Sequence, residues 1–138
     1  MLKTTYLSVP SNGLQCVEPK FPSERQEMFL KKAAQCAFRS NMSQRHGCVI
    51  VNQAGDIVSS GFNYKKTYHC HRYSMHAEAN ALNKLKRATD MSQFEMYVVR
   101  IGNRSGEHTD PELKCSMPCA SCMKAIVKAS LPRVYFSM

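Results

Sequence analysis

The sequence has no long apolar run. Its longest unbroken stretches, such as Cys48-Val49-Ile50-Val51, stop at four residues, far short of the roughly 18 to 20 that a membrane-spanning helix needs. Polar side chains interrupt Met1 to Lys20 throughout, which excludes the apolar centre of a secretory signal. Internal repeats and low-complexity tracts are also missing, so neither a stacked-repeat array nor a biased tail is indicated. Acidic residues are scarce. Ten Asp and Glu stand against nineteen Lys and Arg, and the formal charge of +9 favours an anionic partner, either a phosphate-bearing ligand or a polynucleotide. The expectation is a soluble, intracellular, cytoplasmic protein with no membrane partner.

What is present fits one domain. A chain of 138 residues, 43% of them apolar, can bury one core and is too short for two ordinary ones. Residues 1–22, with Pro10, Pro19 and Pro22, read as an irregular lead-in to a domain over 23–138. Seven cysteines is an odd number, and their clustering near histidine points to metal chemistry in a reducing compartment rather than to a disulfide framework.

Ser23-Glu24-Arg25-Gln26 predicts a capping box that opens a helix toward about Asn41, with Met28, Phe29, Ala33, Cys36, Ala37 and Phe38 on its buried face. Cys48 to Val51 and Ile57 to Phe62 read as a hairpin around Asn52-Gln53-Ala54-Gly55-Asp56. A polar and aromatic loop follows. Then come a helix from His76 to about Ala88, a strand from Phe94 to Ile101, a loop to Met117, a helix from Cys119 to Ala129, and a strand from Pro132 to Ser137. Helices between successive strands require crossovers, so part of the sheet should be parallel, with helices on its faces. With no cover in sight for the last strand, one sheet edge should stay bare, a reason to expect a homo-oligomer.

The chemistry lies in His76-Ala77-Glu78 at one helix start and Pro118-Cys119-Ala120-Ser121-Cys122 at the next. Two thiolates and one imidazole fill three tetrahedral positions of Zn²⁺ and leave the fourth for water, the mark of a catalytic rather than a closed structural zinc. Cysteines three apart at a helix start can face one ion, and the positive end of the helix helps hold them as thiolates. Glu78, two residues past His76, would then stand beside the metal, free to move protons between the bound water and a substrate nitrogen. Taken singly, each cysteine could be an ordinary buried residue. In this order and on these elements, H-x-E…P-C-x-x-C is the signature of the zinc deaminases.

At these residues the chain resembles the cytidine deaminase-like superfamily, and within it the cytidine and deoxycytidylate branch. The resemblance covers most of the chain from Ser23 onward. It implies a three-layer α/β/α fold with a mixed sheet of four or five strands, with zinc ligands His76, Cys119 and Cys122 and with Glu78 as proton shuttle. It also implies substrate contacts from Gly47, Cys48 and Val49, where Cys48 replaces the usual alanine, from Asn63 in Gly61-Phe62-Asn63, and from the main-chain carbonyl of Met117. Asn80, two residues after Glu78, is similar to the deoxycytidylate form. The substrate implied is a free nucleoside or nucleotide, dCMP or cytidine, whose cytosine is hydrolysed to the uracil analogue. The Asn63 to His76 segment matches no substrate loop of the family, and the family's common C-terminal helix is missing.

That segment holds Tyr64, Lys65, Lys66, Tyr68 and Arg72, a composition suited to stacking on bases and neutralising phosphate. It is equally the composition of a solvated loop. It keeps open an alternative substrate, a base in single-stranded DNA or RNA, whether cytosine or tRNA adenosine. His69, Cys70 and His71 could join Cys16, Cys36 or Cys115 in a second, structural zinc site. A non-catalytic module stabilised by zinc is the remaining reading, and Glu78 argues against it, because a structural site has no use for that carboxylate.

Overall fold

The elements follow in the order β1 (Thr4–Ser8), β2 (Gln15–Cys16), α1 (Glu24–Ala37), β3 (Arg45–Val51), β4 (Ile57–Phe62), β5 (Tyr64–Tyr68), β6 (His71–Met75), α2 (Ala77–Asn83), β7 (Glu95–Ile101), β8 (Leu113–Lys114), α3 (Ala120–Lys128) and β9 (Arg133–Ser137). The computed structural model describes residues 4–8, 15–16, 22–68, 71–86, 88–102 and 113–137, with the backbone alone described for 4–8, 15–16, 67–68 and 71–73.

The main sheet runs β2-β1-β9-β7-β3-β4, with β8 added on β7. Five of these strands have five residues or more, and β2 and β8 are two-residue additions. β7 and β9 are parallel and the other pairs antiparallel, so the sheet is mixed. One face carries α1 over Val49, Val51, Tyr97, Val99 and Tyr135. The opposite face carries α2 and α3 over Cys48, Ile50, Met96, Val98, Val134 and Phe136. The alternation of β3 and β7 side chains between the two cores is the period of two that a strand imposes, and it completes the expected α/β/α layering.

Ser23 opens α1 as a full capping box: its hydroxyl accepts the Gln26 amide at 3.2 Å and its own amide donates to Gln26 Oε1 at 2.9 Å. The buried stripe of α1 is Phe29, Leu30, Ala33, Ala34 and Ala37, whereas Met28 and Phe38 are 48% and 49% exposed and Cys36 is half-buried. The expected face is therefore rotated. The cause is Gly47 on β3, where an added Cβ would collide with the Ala33 carbonyl and lie 2.6 Å from the Ala37 amide. The helix settles through its alanines onto that glycine, and the bulkier residues on either side turn outward.

Two segments differ from the sequence expectation. The lead-in of residues 1–22 contains β1, which pairs with β9 from Thr4↔Ser137 to Ser8↔Arg133. The edge expected to be bare is covered, and the argument for self-association drawn from it falls away. The loop between Asn63 and His76 is instead a separate two-stranded sheet, β5 against β6. In addition α2 stops at Asn83, short of the expected Ala88. Among the described residues no helix is long and apolar enough to cross a membrane.

Candidate active site

His76 is the N-cap residue of α2 and Cys119 that of α3, both with extended backbone, and neither makes a side-chain cap hydrogen bond. Ser, Thr, Asp or Asn at an N-cap spends its side chain on the first-turn amides. His76 makes no such bond, and the Cys119 sulfur meets the Ser121 hydroxyl at 3.1 Å instead. Both point at one spot: His76 Nδ1 lies 3.5 Å from Cys119 Sγ and 3.3 Å from Cys122 Sγ, and the three ligand atoms all fall within 4.8 Å of one another. Tetrahedral zinc with Zn–S near 2.3 Å and Zn–N near 2.0 Å separates its nitrogen and sulfur ligands by about 3.6 Å. The donor set and its spacing fit the ion.

The two thiols differ. Burial would raise Cys119, but the Ser121 hydroxyl at 3.1 Å, the Cys122 amide and thiol and the charge of His76 outweigh it and hold the thiol at about 7. Cys122, 4% exposed, is pushed up by burial first and then by the negative charge of Glu78. Glu78 is itself 4% exposed and borders a cavity of about 240 Å³. Gln44, His46 and Asn63 wall this cavity on one side, Ser74 and Met75 on another, and Ser116, Met117 and Cys119 on a third. Its volume is below the roughly 300–1,000 Å³ of sites for drug-sized ligands, and suits one small ring with part of its substituent.

Residues 23–138 match the profile of the cytidine and deoxycytidylate deaminase zinc-binding region. The chain belongs to that family. It is a zinc-dependent hydrolytic deaminase. Among solved structures the deaminase is similar to dCMP deaminase from the cyanophage S-TIM5, at 22% identity. The match covers 81% of this chain and 79% of that one with a TM-score of 0.59 for its complex with dCMP and dUMP, and 80% of each chain with a TM-score of 0.57 for the apo form. It is also similar to cytidine deaminase from Burkholderia pseudomallei, at 16% identity over 77% of each chain with a TM-score of 0.56. These likenesses concern the fold. No curated protein matches the chain.

The structure distributes the remaining sequence-predicted residues unevenly around the deaminase cavity. Asn63 and Met117 border it, Asn63 buried and Met117 52% exposed. The Asn63 amide is engaged: Oδ1 accepts the His46 amide at 2.8 Å and Nδ2 donates to the Gln44 carbonyl at 2.6 Å, which ties the end of β4 to the start of β3. Gly47, Cys48 and Val49 do not line the cavity. Gly47 lies under α1, Cys48 is fully buried toward α2 and α3, and Val49 faces α1. Burial and the neighbouring Glu78 push the Cys48 thiol up. What β3 offers the cavity is His46, whose imidazole is held below its usual range mainly by burial, against the pull of Glu78 and with help from Arg100.

Tyr64 is half-buried beside Phe62, ring centroids 5.9 Å apart, while Lys65 and Lys66 are exposed. Lys65 pairs directly across the ribbon with Ser74. Such partners are neighbours on one face, so Lys65 is the cross-strand neighbour of a cavity residue. Tyr68 and Arg72 are placed by register only, opposite His71 and Thr67. His69 and Cys70, proposed for a second zinc, lie outside the described residues, and the one metal-capable group found among the described residues is His76, Cys119 and Cys122. Gln44, His46, Ser74, Met75 and Ser116 are cavity residues that the motif did not reveal. Ser74, Met75 and Ser116 could have been found as the residues just before each half of the signature; His46 and Gln44 carry no such local mark.

Proposed function

We propose that this deaminase hydrolyses the exocyclic amine of cytosine in a free nucleotide such as dCMP, or in the nucleoside cytidine, with His76, Cys119 and Cys122 as the zinc ligands and Glu78 as the proton carrier. The observation that carries the reading is a carboxylate 4% exposed at the cavity wall, next to a three-residue metal group whose geometry leaves one tetrahedral position open.

Zinc, when bound, supplies the Lewis acidity that makes water a nucleophile near neutral pH. The protein does the rest. His76, Cys119 and Cys122 fix the reaction centre at the junction of two helix starts. Glu78 takes the proton of the attacking water and passes it to the ring nitrogen beside the amine, then takes the remaining proton from the hydroxyl added at the carbon and delivers it to the departing amine, which leaves as ammonia as the carbonyl forms. Buried as it is, Glu78 works where water competes poorly for its hydrogen bonds, which strengthens each transfer. The Met117 carbonyl would accept from the leaving amine, and His46 and Asn63, which also line the cavity, would border the ring. Water is consumed, and the uracil analogue and ammonia are released.

A phosphate on the substrate is supported by charge. Among the described residues, Glu78 is the only carboxylate on the segments that wall the cavity. Glu24, Glu27, Asp56, Asp90 and Glu95 belong to the first turn of α1, the β3–β4 turn, the approach to β7 and its first residue, all at the other end of the sheet. Lys65, the cross-strand neighbour of the cavity residue Ser74, adds a cation close to it. The test is ammonia release from dCMP, deoxycytidine, cytidine, adenosine and a cytosine-containing single strand. Turnover of dCMP above deoxycytidine is expected. Activity confined to the oligonucleotide would move the assignment to a polynucleotide base deaminase, and inactivity on all five with zinc bound would end the reading.

A further inference from the structure

Strand β7 changes neighbours along its length. From Glu95 to Val98 it runs parallel to β9, with Val98↔Phe136 the last pair. Two residues on, Arg100 and Ile101 pair antiparallel with Lys114 and Leu113 of β8. The chain after β8 therefore enters the sheet where β7 and β9 part. Open α/β sheets bind ligands in the crevice at the carboxyl ends of parallel strands that diverge. Ser116 sits at the head of this one.

Ser116 is 2% exposed, and it borders the cavity. Its hydroxyl donates to the Val98 carbonyl of β7 at 2.8 Å and accepts the Ser137 amide of β9 at 2.9 Å. Its own amide donates to the Ser137 carbonyl at 2.9 Å. The Ser137 hydroxyl, 2.9 Å from that of Ser116 and itself 2% exposed, donates to the Lys114 carbonyl at 2.7 Å. One residue thus joins both diverging strands and, through Ser137, the segment that enters between them. A buried hydroxyl left unbonded would cost about 1–3 kcal/mol. This one is used on both its donor and its acceptor side.

The effect passes to the site over a short span. Only Met117 and Pro118 separate this anchor from Cys119, and the ring of buried Pro118 fixes its φ. One of the few torsions between the sheet and the Cys119 sulfur is thereby fixed. We infer that Ser116 is a positioning residue: its hydroxyl bridge across the β7–β9 split sets the main chain of Met117 at the cavity rim and aims Cys119 at the metal. This rests on the zinc assignment proposed above. Groups that orient ligands from behind typically change metal affinity by about 10 to 100-fold when removed.

The experiment uses the full chain with Ser116→Ala, read by zinc affinity in chelator competition and by the visible absorption of the cobalt(II)-loaded protein. Zinc affinity is expected to fall about 10 to 100-fold, with a changed cobalt spectrum. Ser59→Ala serves as control. Its hydroxyl is also buried and donates to a carbonyl, that of Ala81 at 2.6 Å, so removal of a buried, hydrogen-bonded serine hydroxyl is reproduced without touching the split, and both readings should stay at wild type. If Ser116→Ala keeps wild-type affinity and spectrum, the inference is overturned. Should that variant fail to fold, Ser137→Ala decides: it removes the hydroxyl that touches Ser116 and leaves the Ser137 amide, so a smaller shift in the same direction is expected, and no shift overturns the inference. A wild-type chain that takes up no zinc would instead overturn the metal assignment itself, together with everything built on it.

Discussion

Replacing Ser121 by alanine should change how many protons leave the deaminase when zinc binds. Zinc takes thiolates, so every ligand thiol still protonated at the working pH must release its proton. Cys119 stands at about 7, because the Ser121 hydroxyl at 3.1 Å and the other groups around it outweigh the effect of burial. Cys122 is raised by burial and by Glu78. At pH 8 the first thiol is already mostly ionised and the second is not, so the thiols should release about one proton per zinc, over and above any proton given up by water at the ion. In Ser121→Ala burial is no longer outweighed as fully and Cys119 moves up. Proton release at pH 8 should then climb by up to about one more per zinc, and the affinity slope should steepen by up to about tenfold per pH unit. Chelator competition between about pH 7.5 and 8.5, with an indicator reporting protons in weak buffer, reads both quantities. Equal proton release from wild type and variant, or an unchanged slope in the variant, would refute the reasoning.

Three further outcomes follow from packing and charge. Gly47→Ala forces a Cβ into the main chain of α1 at Ala33 and Ala37, and should lower stability by about 1–3 kcal/mol in urea unfolding; a neutral effect would mean that α1 does not pack as described. His46 is held below 6.5 in the folded chain, chiefly by burial. The unfolded chain therefore takes up a proton first as pH falls, and the stability linked to neutral His46 is complete above about 6.5 and lost below it. The difference in urea midpoint between wild type and His46→Asn should accordingly shrink from pH 7.5 to pH 5, whereas a constant or widening difference contradicts the burial argument. Lys65→Ala should raise KM for dCMP by about 10 to 100-fold, the range of a hydrogen bond to a charged group, and leave deoxycytidine turnover unchanged; equal losses on both substrates would place Lys65 outside a phosphate contact.

How much of this was legible in the sequence depended on whether the information was local. The capping box at Ser23, the hairpin around Gly55 with its φ of +92, and the metal signature are each written within a few residues, and each forms as expected. The rotation of α1 was not legible, because it is set by Gly47, on a strand that follows the helix and meets its alanines only after folding. β1 was hidden for a similar reason: Thr4 to Ser8 gain their partners from Arg133 to Ser137, at the other end of the chain. The β5–β6 ribbon lacks the apolar alternation that marks a half-buried strand, and its polar, basic residues read as loop. The cavity was half legible. Glu78, Cys119 and Met117 come with the motif, while His46 and Ser116 owe their place to the strand pairings that bring β3 and the β7–β9 split to the same end of the sheet.

The central claim is that Glu78 moves protons at a zinc held by His76, Cys119 and Cys122. It is met most directly by measuring zinc content and ammonia release from dCMP on the same preparations of wild type and Glu78→Gln. The account predicts equal zinc in both and a fall in kcat of about 10² to 10⁴ in the variant, the usual worth of a positioned acid–base group. A variant that holds its zinc and keeps substantial turnover would contradict it.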